Sequence, residues 1–131
     1  MARVGAIAYL IVLTGTLLAP RPFDALGELA PSAQWLVGPG YWIHGLLYLG
    51  LGIVMLRAFG RGAPVRVAAI VFLVSLHAVA AEAAQAFIPG REVDRLDLLA
   101  NLVGGLLGWA AWRCGSQRRA SRPSQCRRTP L

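Results

Sequence analysis

Six residues of types that do chemistry occur at helical spacings in an otherwise apolar chain: His44, Glu82, Gln85, Arg91, Asp97 and Asn101. Glu82 and Gln85 are three apart at the end of one hydrophobic run. Asp97 and Asn101 are four apart at the start of the next, so on helices each pair shares a face. Between them, Ile88-Pro89-Gly90-Arg91 has Pro and Gly at the central positions of a type II turn, with Pro fixing φ and Gly supplying φ > 0. The chain is expected to reverse there and bring an acid and an amide from each side toward Arg91. An acid, an imidazole and a guanidinium at one point can bind a phosphate or carboxylate. They can also move a proton, with Glu82 or Asp97 as base and His44 as acid.

Composition defines the object that must position these groups. At 131 residues and 56% apolar, with a mean hydropathy of +0.57, the chain is too hydrophobic for a small soluble domain. The expected architecture is all-α, an integral membrane four-helix bundle with spans at about 4–20, 41–58, 65–87 and 96–113. A disordered Arg-rich tail is expected over 114–131, where no apolar periodicity remains. The first run also reads as a signal peptide, with Arg3 before it and Ala19 after it, but no good cleavage site is present and Pro20-Arg21-Pro22 follows; a retained helix is the expectation. Residues 21–40 are expected to form an interfacial loop with Trp35 at headgroup level.

Orientation follows from charge. All 13 basic residues are arginines, and four alternating spans distribute them ten to three. The positive-inside rule then places both termini in the cytoplasm and the Pro89-Gly90 turn outside. Measured from Arg66, Glu82 lies 16 residues up, or about 24 Å of a core of about 30 Å. His44 and Asn101 are each about one turn from the same outer edge, so three helices deliver a carboxylate, an imidazole and an amide to one level.

At these residues the chain resembles the VanZ-like family of small bacterial membrane proteins. The shared positions are His44, Tyr48, Leu49 and Gly50; then Glu82, Gln85, Phe87, Pro89 and Arg91; then Asp97, Asn101, Gly104 and Gly108. The resemblance covers roughly Tyr41 to Trp112. Two positions depart from the pattern: Gly40-Tyr41 stands where the family often has Asp-Lys, and Asp94 where it often has Ser or Thr. The resemblance implies a four-helix bacterial inner-membrane protein of the cell envelope and, through the family's name member, a link to teicoplanin resistance. It brings no settled activity.

Each signal also has a structural reading. An acid within a span costs on the order of 2.5 to 3.5 kcal/mol at mid-helix, so Glu82 either faces a ligand or pairs with Arg91 to lock two helices. Gln85 alone reads as interhelical glue. Asp94 before an apolar run, with Asp97 three residues on, reads as a helix N-cap with an acid at the third helical position. His44 is more often a packing histidine than a ligand, and His77 is about 140° round its helix from Glu82, facing the bundle but apart from the cluster. No metal site, cofactor site, phosphate loop or Ser-His-Asp arrangement is expected. Cys114 and Cys126 fall on the cytoplasmic side, where thiols stay reduced. Membrane lipids and a lipid-linked envelope component are the expected partners, with a homodimer through the Gly104/Gly108 face as a further contact. The tail arginines point to anionic lipid rather than nucleic acid.

Overall fold

In a computed structural model, residues 1–19, 40–61, 63–89 and 94–120 are described. They form four helices: α1 Ala2–Leu18, α2 Tyr41–Phe59, α3 Pro64–Gln85 and α4 Arg95–Ala120. There is no strand among the described residues. The all-α architecture matches the expectation. The loop 21–39 and the turn residues Gly90 and Arg91 lie outside the described residues.

The boundaries differ from expectation at two ends, and each has a local cause. α3 begins with Pro64 at its first turn, where a missing N–H is harmless, and ends at Gln85 rather than 87. The N–H groups of Ala86, Phe87 and Ile88 each reach back three residues, so the helix tightens to a stop ahead of Pro89. α4 runs to Ala120, past the expected end at 113. No proline interrupts residues 114–120, and Gln, Arg and Ala there are good helix formers, so polarity alone does not end the helix. Residues 121–131, with Cys126, lie outside the described residues.

The core is apolar, with Leu13, Leu17, Leu51, Leu56, Ile70 and Val74 buried, and much of the outside is apolar as well. Val4, Ile7 and Ile11 of α1, Phe72, Leu73 and Leu76 of α3, and Leu99, Leu106 and Leu107 of α4 are all at least half exposed. The buried positions include His44, Glu82, Gln85 and Asn101, each at 2% exposure or less. α2 and α3 are each long and apolar enough to cross a membrane, and α1 is a shorter apolar helix.

Glycines set the most intimate contact, between α2 and α4. A Cβ at Gly104 would run into the Gly45 carbonyl, and one at Gly108 would sit 2.6 Å from the Leu49 carbonyl. One at Gly52 would be 2.9 Å from the Gly105 carbonyl. The two backbones therefore touch, as small residues four apart permit. The Gly104/Gly108 face, the one expected to make close helix contact, is thus filled by α2 of the same chain. On α1, the Tyr9 side chain lies over Gly50 and its hydroxyl donates to the Leu47 carbonyl at 2.9 Å.

Candidate functional site

The α2–α4 contact fixes the level of the site. Because Gly45 sits against Ala100 and Gly104, its neighbour His44 arrives at the height of Asp97 and Asn101. His44 Nδ1 is 3.9 Å from Asp97 Oδ2, too long for a hydrogen bond and within reach of an ion pair when the imidazole is protonated. The Asp97 side chain keeps 21% of its surface exposed, whereas that of His44 keeps 3%. Asp97 is thus the wet edge of the cluster and His44 its dry wall.

Glu82 enters from α3. Its Oε1 accepts the backbone N–H of Asp94 at 2.9 Å. Asp94 is the residue just before α4, and its own Oδ1 accepts the N–H of Leu96 at 2.8 Å, the expected N-cap. In a capping box the acid at the third helical position, here Asp97, would reach back to the cap's N–H. Glu82 takes that N–H from another helix, and Asp97 is left to face His44. Three carboxylates consequently gather at the N-terminus of α4, where the helix dipole favours negative charge.

Asn101 is one turn deeper than Asp97 on the same face and 1% exposed. Neither its Oδ1 nor its Nδ2 has a hydrogen-bond partner among the described residues. An amide buried without partners costs about 1 to 3 kcal/mol, so this position is set against folding stability. Gln85 has the other fate: its Nε2 donates to the Leu17 carbonyl at 3.0 Å, tying α3 to the end of α1. The reading of Gln85 as interhelical glue therefore describes its contact. Arg91, the expected cation of the cluster, lies outside the described residues.

A second polar group lies deeper and was only partly legible. His77 Nδ1 is 2.9 Å from the Tyr48 hydroxyl, and His77 Nε2 is 2.9 Å from Thr14 Oγ1. Thr14 spends its one proton on the Leu10 carbonyl at 2.7 Å. It must therefore accept from Nε2–H, which leaves Nδ1 to accept from Tyr48. The tautomer follows from this accounting, and the chain of bonds joins α1, α2 and α3. Sequence reasoning placed His77 apart from Glu82 but missed Thr14 and Tyr9. The available signal was that isolated hydroxyls in an apolar helix need partners.

Among the described residues no three His, Cys, Asp or Glu side chains converge on a point where a metal could sit. What the upper cluster offers is an imidazole, three carboxylates and an amide without a partner among the described residues, around a partly open edge. Residues 6–116 match the pattern of the VanZ/LLP1 family. No curated protein and no solved structure gives a significant match.

Proposed function

The chain belongs to the VanZ/LLP1 family, and from that premise we propose that it is a multi-pass protein of the bacterial inner membrane whose outer polar site binds the headgroup of an envelope component. The apolar exterior supports the membrane reading, since outward Ile, Leu, Val and Phe are stable against lipid and the polar His44, Glu82, Gln85 and Asn101 are kept away from it. α1 is about 26 Å long by its 17 residues, and packing against two longer helices lets it share their crossing. Arginine asymmetry puts both termini in the cytoplasm. A reporter fused near Arg91 should read as external and one at the C-terminus as internal; the reverse pattern would overturn the orientation.

One observation carries the binding role: the buried Asn101 amide without a partner among the described residues, next to the accessible edge at Asp97. Donor and acceptor held ready at that depth suit a ligand bearing hydroxyl, amide or amine groups, as a lipid-linked envelope precursor or a glycopeptide antibiotic does. Arg91 would add the cation for a phosphate or carboxylate. The experiment is native mass spectrometry of purified protein for a co-purifying envelope lipid, in the parent and in Asp97→Asn. Because Glu82 already holds the α4 cap, Asp97→Asn should fold normally and lose the ligand. Retention of the ligand by this variant would remove Asp97 from the site.

A second reading has its own observation. The Asp97 carboxylate beside His44 Nδ1 is the arrangement that orients an imidazole and stabilises its charged form, which suits a lipid-headgroup enzyme with His44 as acid. Glu82 fits the base role less well, since one of its oxygens holds a backbone N–H. Turnover of a lipid substrate that disappears with His44→Gln while lipid binding persists would establish this reading over simple binding.

A further inference from the structure

At the opposite end of the bundle a groove runs between the start of α3 and the end of α4. Its volume is about 1000 Å³, at the top of the range of about 300 to 1,000 Å³ for ligand pockets. Its walls are apolar, with Val67, Val71 and Phe72 facing Leu106 and Trp109, and its mouth holds Arg61 and Arg113. Phe72 and Leu106 are more than half exposed, so the groove is open along its side as well as at its mouth.

The mouth is a place of one sign. Arg3, Arg57, Arg61, Arg66, Arg113 and Arg118 all belong to this end, while the described acids Glu82, Asp94 and Asp97 belong to the other. Among the described residues no arginine here pairs with a carboxylate. Arg113 instead stacks on Trp109, 5.6 Å from the ring centre, and Arg66 donates to the Arg61 carbonyl. Tryptophan beside arginine at a helix end is the signature of a headgroup level.

We propose that this groove is a binding site for an anionic phospholipid of the inner leaflet, with its phosphate between Arg61 and Arg113 and an acyl chain along Val67, Val71 and Leu106. The site is separate from the outer cluster and rests on the membrane reading, but not on any role of Glu82 or Asn101. Charge complementarity selects the occupant: two guanidiniums with no acid beside them among the described residues suit an anion, and an apolar trough open to the side suits an anion that carries a chain. A soluble phosphate meets only the first requirement. The helical extension 114–120 carries Ser116 into the groove wall.

The test is competition in mixed micelles containing equal phosphatidylglycerol and phosphatidylcholine of the same chains, read by native mass spectrometry. The parent should retain one phosphatidylglycerol in preference. Arg61→Gln with Arg113→Gln should reduce that preference by at least tenfold, following from about one lipid-attracting charge lost twice. Arg3→Gln with Arg118→Gln removes equal charge away from the groove and should leave it intact. Ala68→Phe keeps every charge, fills the trough and should also abolish retention, while glycerol phosphate should not compete. Equal loss in both double variants, or competition by glycerol phosphate, would reduce the site to surface charge and overturn the proposal. Recovery of the parent as a soluble monomer without detergent would instead overturn the membrane reading beneath it.

Discussion

Two polar clusters are buried in the same bundle, and they are built on opposite terms. In the deeper one, Tyr48, His77 and Thr14 form a closed chain in which each proton has a definite acceptor and the last bond ends on a backbone carbonyl. In the upper one, Glu82 is committed to the α4 cap, His44 and Asp97 stand 3.9 Å apart, and the Asn101 amide meets no partner among the described residues. A closed network in a low-dielectric interior contributes rigidity, whereas a buried group left open costs stability that folding alone does not repay. The difference fits the proposal that the upper cluster binds a ligand while the deeper one serves structure.

The largest effect should come from the contact both clusters depend on. Gly104→Leu drives a side chain into the Gly45 carbonyl, separates α2 from α4 and displaces His44 and Tyr48 together. A loss of more than about 3 kcal/mol is expected, read as failure to recover folded protein in detergent. Gly115→Leu, with nothing within 4 Å of its Cβ, should be neutral. Equal behaviour of the two variants would mean that the α2–α4 crossing is not what holds the clusters.

The next pair sharpens the comparison by sign. His77→Phe strands the Tyr48 hydroxyl in apolar surroundings and should lower unfolding stability by about 1 to 3 kcal/mol. Asn101→Leu removes an amide that has no bond to lose among the described residues and should raise stability, by up to a similar amount, while abolishing retention of the ligand. Thermal unfolding of the purified variants decides it. If Asn101→Leu destabilises as much as His77→Phe, the two clusters are of one kind and the ligand reading of Asn101 fails.

The smallest effect belongs to the helix cap. Asp94→Ala removes the acceptor for the Leu96 N–H and should cost about 1 kcal/mol, with little change in ligand retention because Asp97 and Asn101 keep their places on α4. A large loss of ligand in this variant would place Asp94 inside the site, beyond its role as a cap.

Much of this was legible in the sequence because the relevant signals are local. Hydrophobic runs broken by Pro20, Gly60 to Pro64 and Pro89 define four helices, since proline and glycine act within a turn of where they stand. The Asp94 cap and the shared face of Asp97 and Asn101 follow from helical periodicity in the same way. α4 outlasts its apolar periodicity, because residues such as Gln117 and Arg118 favour helix without needing burial. Partner choice was a different matter. Spacing identified Gly104 and Gly108 as a close-contact face but not that Gly45 and Gly52 of the same chain would fill it. The capping-box spacing allowed Asp97 to serve its own helix as well as the cluster, but it carried no sign that Glu82 would arrive from α3 to take the Asp94 N–H. The sequence by itself determined the helices, their polar faces and the level at which those faces stand. Only the tertiary structure decided which polar groups are satisfied and which are left open, because hydrogen-bond accounting depends on distances of a few tenths of an ångström between helices, and no periodicity within one helix carries that information.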